Sequence, residues 1–158
     1  RRAATRLRQV DGFTLLVQGE RPNGELLAQF RRAAAPLLLG TGSFWQGVDV
    51  RGEALSCVIV DKLPFASPGE PIVAGRIAHL RAQGQDPFND YQLPHAVITL
   101  KQGLGRLIRD AGDRGVLMVG DRRLVGRGYG KVFLQSLPDM PITRDIDDVQ
   151  RFFWQAPA

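Results

Sequence analysis

The chain has 158 residues, 44% hydrophobic and 23% charged, which suits one globular domain with a real core and argues against two. No apolar run is long enough to span a bilayer, and the charged opening at Arg1 lacks a secretory signal pattern, so the cytoplasm is the expected setting and no membrane is expected as a partner. The 21 Lys and Arg against 16 Asp and Glu give a formal charge of +5, a modest pointer to anionic partners, since many domains carry such an excess only for solubility.

The first residue is not Met, which suggests a processed product or a piece of a longer protein. The one cysteine, Cys57, lies in the apolar run Leu55 to Val60 and reads as a small buried hydrophobe. It forms no internal disulfide, and one thiol cannot hold an iron–sulfur cluster, which generally takes four ligands.

In chain order, Ala4, Leu7 and Val10 mark one face of a short basic helix over 1–10, ended by Asp11-Gly12. Phe13 to Val17 reads as a strand. Leu26, Leu27, Phe30 and Ala34 stand at helical spacing over 23–34 after a Pro-Asn-Gly turn, and Leu37 to Leu39 forms a second strand running into a glycine-rich loop. Leu55 to Val60 is a third strand, whose unbroken apolar character predicts burial on both faces. A helix over 71–83 would turn Ile72, Val73, Ile77 and Leu80 inward. Residues 86–90 read as a loop, 94–109 as a long amphipathic helix, 116–119 as a fourth strand, and 130–134 and 145–154 as short closing helices. Strands alternating with helices, without hairpin signals, predict an α/β fold with a parallel sheet, whose ligands gather beyond the carboxyl ends of the strands. Attention falls on the loops after Leu39, Val60 and Val119.

Two stretches carry chemistry. Gly40-Thr-Gly-Ser-Phe-Trp-Gln-Gly-Val-Asp49 follows a strand. Its glycines would let backbone N–H groups approach a phosphate, its Thr41 and Ser43 hydroxyls can donate to one, and Asp49 can orient a cation or a ribose hydroxyl. A tight turn whose aromatics pack inward explains the same residues equally well. Neither a dinucleotide-binding glycine fingerprint nor a Walker A sequence is present.

The second stretch is Leu100-Lys-Gln-Gly-Leu-Gly-Arg-Leu-Ile-Arg109. Helical spacing places Gln102, Gly105, Arg106 and Arg109 on one face, with Leu100, Leu104, Leu107 and Ile108 towards another. Gly103 and Gly105 each cost an interior helix roughly 1 kcal/mol relative to Ala, which suggests close approach to that backbone. Two guanidinium groups on a rigid helix suit phosphoryl oxygens, because the planar donor fork matches them and the charge persists at any working pH. A solvated helix face is the plainer alternative.

Together these stretches resemble the late motifs of superfamily 2 helicases in the form found in the DinG/XPD branch: 40–50 resembles motif V and 102–109 motif VI. Asp61-Lys-Leu-Pro-Phe65, Asp86-Pro-Phe88, Leu93-Pro94 and the run from Gly115 to Arg123 fit the same branch in order and spacing, so the resemblance covers about residues 13–135. It implies a single fragmentary C-terminal domain, 1–158: a RecA-like three-layer sandwich with a mostly parallel sheet, lacking its first strand, and the second motor domain of an ATP-dependent DNA helicase. ATP and Mg2+ would be shared with the absent N-terminal RecA-like domain, which in many members also carries an iron–sulfur cluster. By resemblance, Arg109 is the arginine finger and Arg106 its companion, while Gln102, Gly47 and Asp49 belong to the ATP site. Thr41, Ser43 and Lys62 are candidate contacts to single-stranded DNA. Such contacts to phosphate grip DNA without reading its sequence. Phe44, Trp45 and Phe65 could stack on bases, although core packing suits at least two of them better.

Other features imply less. His79 and His95 have no second ligand at metal spacing, so no metal site is expected. Gly126 to Gly130 reads as a turn before a helix, and Asp145, Asp147 and Asp148 as capping charges. The isolated chain is expected to be inactive, and its uncovered domain interface makes self-association plausible. A stand-alone single-stranded nucleic-acid-binding or scaffolding module is the alternative; a nucleotide-dependent oxidoreductase is opposed by the failed glycine fingerprint.

Overall fold

The computed structural model describes residues 2–42, 44, 55–108 and 112–154. A short helix α1 (Arg2–Leu7) leads into strand β1 (Thr14–Val17), helix α2 (Asn23–Arg32) and strand β2 (Pro36–Leu39). Strand β3 (Cys57–Val60) is followed by helix α3 (Pro71–Ala82), a π-helical turn (Phe88–Gln92) and helix α4 (Leu93–Leu107). Strand β4 (Val116–Val119) and helices α5 (Arg123–Gly126), α6 (Gly130–Ser136) and α7 (Ile146–Trp154) complete the chain. All four expected strands are present, and every pairing is parallel: Val17 lies opposite Leu39 and Val60 opposite Val119. The chain is thus a mixed α/β protein whose parallel strands are joined by helical crossovers.

The strands form two separate pairs, β1 with β2 and β3 with β4, rather than the one continuous sheet expected; no ladder joins the pairs among the described residues. The first pair is sealed by Leu16, Leu26, Phe30 and Phe44, with Leu27, Leu38 and Leu55 against them. The second has a larger core of Val60, Leu63, Leu93, Ala96, Val97, Leu100 and Phe133, drawn from β3, its following loop, α4 and α6.

Several local expectations change. Ile59 of β3 is 62% exposed, so the strand is covered on one face rather than both. Cys57 is half-buried, and desolvation pushes its thiol pKa up, away from the reactive thiolate. In α3, Val73, Ile77 and Leu80 point inward at i, i+4 and i+7, whereas Ile72, one position out of phase, is 86% exposed. Val10 and Ala34 lie beyond the helices they were expected to continue.

The 86–90 segment is an ordered entry to α4 rather than a plain loop. Asp86 Oδ1 accepts from the backbone N–H of Phe88 at 2.9 Å, its Oδ2 accepts from Asn89 Nδ2 at 2.6 Å, and Asp90 Oδ2 accepts from the Asp86 N–H at 2.9 Å. These bonds favour the ionised form and lower the Asp86 pKa. At α7 the expected capping is present: Thr143 Oγ1 accepts from the Asp145 N–H and Asp145 Oδ1 from the Asp147 N–H, both at 3.0 Å. The Gly126–Gly130 turn packs tightly, and a Cβ on Gly130 would sit 1.9 Å from the Leu124 carbonyl oxygen.

Candidate nucleotide and nucleic-acid surface

At the carboxyl end of the first strand pair, Gln18 extends the ladder, its N–H donating to Leu39 O at 2.9 Å. Across from it, the Thr41 N–H and hydroxyl both donate to Gln18 Oε1, at 2.8 and 3.0 Å. Thr41 is exposed as expected, but its hydroxyl proton is directed at Gln18. Gly40 serves packing here: a Cβ would stand 3.0 Å from Phe44 Cβ, so its absence lets the buried Phe44 fold back onto the core. For Gly40 and Phe44 the tight-turn reading therefore holds. Ser43, Trp45, Gly47 and Asp49 lie outside the described residues.

The loops after β3 and β4 are joined by a carboxylate. Asp121 Oδ2 accepts from the Leu63 N–H at 2.9 Å, across 58 residues of sequence, while Asp121 Oδ1 accepts from the Arg123 N–H at 2.9 Å. The Arg123 guanidinium closes on the same carboxylate, with Nη2 2.6 Å from Oδ2 and Nε at 3.0 Å from both oxygens. Hydrogen bonding from Arg123 holds the Asp121 carboxyl far below the usual carboxylate range. The guanidinium carbon also lies 5.5 Å from the centroid of Phe65, a cation–π distance. Phe65 in turn meets Phe88, Tyr129 and Phe133, each with centroids 5.8 Å away. Phe65 is thus committed to this cluster. Lys62, one residue before the anchored Leu63, remains exposed, as a contact to an external phosphate requires.

Helix α4 divides as the periodicity predicts. Leu100, Leu104 and Leu107 are buried, while Gln102 is exposed and Arg106 partly exposed one turn apart on the outer side. The helix stops at Leu107, and Ile108 is extended at φ −117°, ψ 115°; Arg109 lies outside the described residues. Gly103 is buried. Gly105 is exposed, and a Cβ there would meet nothing within 4 Å, so no described part of this chain is what its bare backbone accommodates. Gly105 also borders a mainly apolar cleft of about 390 Å³ between α4, the start of β4 and the C-terminal segment at Met140 and Phe152. Arg114 covers the Phe152 ring there at 4.9 Å.

The structure brings Gln102 and Arg106 together on one helix and sets Thr41 and Lys62 on loops at the carboxyl ends of β2 and β3. Sequence reasoning missed Gln18, Asp121 and Arg123. For the last two a signal existed, since Gly120-Asp-Arg-Arg123 follows a strand end; for Gln18 the loop after the first strand was equally eligible. Among the described residues no group of three or more His, Cys, Asp or Glu could hold a metal ion, and no helix is long and apolar enough to cross a membrane.

Comparison with known proteins places the chain in a family. The model of the helicase C-terminal domain matches residues 1–140. The ATP-dependent DNA helicase YoaA of Haemophilus influenzae is 56% identical over 145 residues, covering 92% of this chain and 23% of that protein. YoaA of Escherichia coli is 56% identical over 149 residues, covering 94% of the chain and again 23% of the relative. The 3'-5' exonuclease DinG of Bacillus subtilis is 41% identical over 138 residues, covering 86% of the chain and 15% of that protein. The chain thus spans about a quarter or less of these relatives, and the shared part includes the helix carrying Gln102 and Arg106. It belongs to the helicase C-terminal domain family, in the branch that contains the YoaA and DinG proteins.

Proposed function

We propose that this chain is the second motor domain of an ATP-dependent DNA helicase, supplying the arginine finger and part of a single-stranded DNA track to a cleft completed by another RecA-like domain. The observation that carries the reading is α4: its leucines are buried while Gln102 and Gly105 are exposed and Arg106 is partly exposed on the outer side. Guanidinium and carboxamide donors are groups that fit the oxygens of a polyphosphate. The fold completed around the two parallel pairs is a RecA-like three-layer sandwich, and residues 1–158 act as one unit within a longer protein.

In this reading ATP supplies the phosphoanhydride bond that is cleaved. Arg109, aided by Arg106, offsets charge that develops on the phosphate oxygens, a role worth on the order of 10³ to 10⁵ in rate in related systems. Gln102, Gly47 and Asp49 orient the nucleotide and link it to the DNA-facing loops. ATP and Mg2+ are both shared with the partner domain. An iron–sulfur cluster, where the parent protein has one, belongs to that domain too. Thr41, Ser43 and Lys62 line the DNA side.

The test is made in the intact parent protein. Arg109→Ala is expected to abolish ATP hydrolysis while nucleotide binding persists, Arg106→Ala to reduce it strongly, and the isolated chain to hydrolyse no ATP. Normal turnover by the Arg109 variant would remove the finger. The net charge of +5 keeps one alternative in view, a stand-alone binder of single-stranded nucleic acid. It requires strong, steeply salt-dependent binding by the isolated chain, where half a cleft should bind weakly.

A further inference from the structure

We infer that the Gln18 carboxamide is itself a contact to the backbone phosphate of single-stranded DNA, and that it takes the donor role that the sequence offers to Thr41. The inference rests on the proposed DNA-track reading and adds a residue to it. Its starting point is the proton bookkeeping between the two side chains.

The backbone N–H of Thr41 can only donate, so the Gln18 atom 2.8 Å from it is the oxygen and not the nitrogen of the carboxamide. That oxygen carries no proton, so the Thr41 hydroxyl 3.0 Å away must donate to it as well. A phosphate oxygen at this edge needs a donor, and the Thr41 hydroxyl proton is already engaged. Fixing Oε1 on Thr41 directs Nε2, with its two N–H groups, the other way.

Two further features make Gln18 a fixed platform rather than a loose surface side chain. Its backbone N–H is held to Leu39 O at 2.9 Å, so the residue continues the parallel ladder. The chain turns away immediately afterwards at Gly19, whose φ of +92° is in the left-handed region that favours glycine. The site lies beyond the carboxyl ends of two adjacent parallel strands, where α/β sheets bind their ligands. A neutral amide in that place suits a track that must grip and release phosphates without reading bases.

The experiment compares Gln18→Glu with wild type in the intact parent protein, using a fluorescent oligothymidylate and anisotropy at 0.1 and 0.3 M salt. Glutamate keeps an oxygen for both Thr41 donors, so the tether survives, but it replaces the N–H groups with a second acceptor. Binding is expected to weaken at least fivefold at both salt concentrations. An effect seen at 0.1 M and absent at 0.3 M would be long-range repulsion, which screening removes, and would overturn the contact. Wild-type affinity in the variant would overturn it too, leaving Gln18 as a tether for Thr41. Should Gln18→Glu lower the melting midpoint, Gln18→Met, of similar volume and without donors, decides: a fivefold loss supports the contact and an unchanged Kd refutes it. Failure of the wild-type protein to bind the oligonucleotide would instead sink the DNA-track reading as a whole.

Discussion

Removing the Asp121 carboxylate should loosen the joint between the loops after β3 and β4. The side chain is only 7% exposed, and its Oδ2 is the acceptor for the N–H of the buried Leu63. Asp121→Ala leaves that donor unsatisfied, at a cost of roughly 1–3 kcal/mol. The contact with Arg123 adds less: the arginine side chain is 43% exposed, so about 0.5–1 kcal/mol is the fitting scale for that pair. Together the alanine variant should lose about 2–3 kcal/mol, a large fraction of a typical domain's stability. Asp121→Asn keeps an oxygen for Leu63 and should lose only about 1 kcal/mol. Urea unfolding of the chain at pH 7, followed by circular dichroism, reads both as shifts of the midpoint at constant slope. The pH dependence carries a definite sign. Hydrogen bonds depress the folded-state pKa of Asp121, so on acidification the unfolded chain takes up the proton first. The carboxylate's contribution is therefore complete well above the unfolded value of about 3.9 and declines as pH falls below it. The alanine variant should lack this part of the acid sensitivity. Equal costs for Ala and Asn, or an alanine variant within 0.5 kcal/mol of wild type, would refute the account of the joint.

Two glycine substitutions should separate packing from exposure. Gly130→Ala drives a methyl into the Leu124 carbonyl and should cost more than about 2 kcal/mol, as overpacking against backbone does. Gly105→Ala meets nothing and should raise stability by up to about 1 kcal/mol through helix propensity; it should nevertheless lower ATP hydrolysis in the intact protein if a partner closes on that backbone. Denaturant midpoints and turnover numbers check the pair. The isolated chain should also self-associate, because apolar groups such as Ile59 and Ile72 are left open; a sedimentation coefficient independent of concentration would contradict this.

Element positions were legible because they depend on short-range periodicity. Leu100, Leu104 and Leu107 repeat at helical spacing, and all three are buried; the Val116–Val119 strand is a bare apolar run with the same bounds in structure and sequence. The errors arise where tertiary context decides. An apolar run such as Cys57–Val60 has the same appearance whether one face or both are covered, and Ile59 shows the open face. Ile72 is as apolar as Val73, but one residue of helical phase separates solvent from core. The ordered turn before α4 was missed because its side-chain bonds, Asp86 to Asn89 and Asp90 to Asp86, substitute for the strong helix formers that periodicity detects.

The candidate surface divides along the same line. Gln102 and Arg106 could be grouped from the sequence because both lie on one helix, whose geometry converts sequence spacing into proximity. Gln18 and Thr41 are 23 residues apart, and Leu63 and Asp121 are 58 apart; no local rule joins them. What joins them is parallel pairing, which sets the carboxyl ends of successive strands side by side and makes their first loop residues neighbours. A motor that must transmit a nucleotide event to DNA needs that adjacency, since coupling requires loops that constrain one another mechanically. The Asp121 carboxylate ties the β4 loop to the residue beside Lys62, and the Gln18 oxygen ties the β1 end to the loop that follows β2. If the proposed motor function holds, these two polar joints are where a displacement on the nucleotide side would reach the DNA-facing loops. Substitutions that cut them should therefore reduce DNA stimulation of ATP hydrolysis more than they reduce hydrolysis itself.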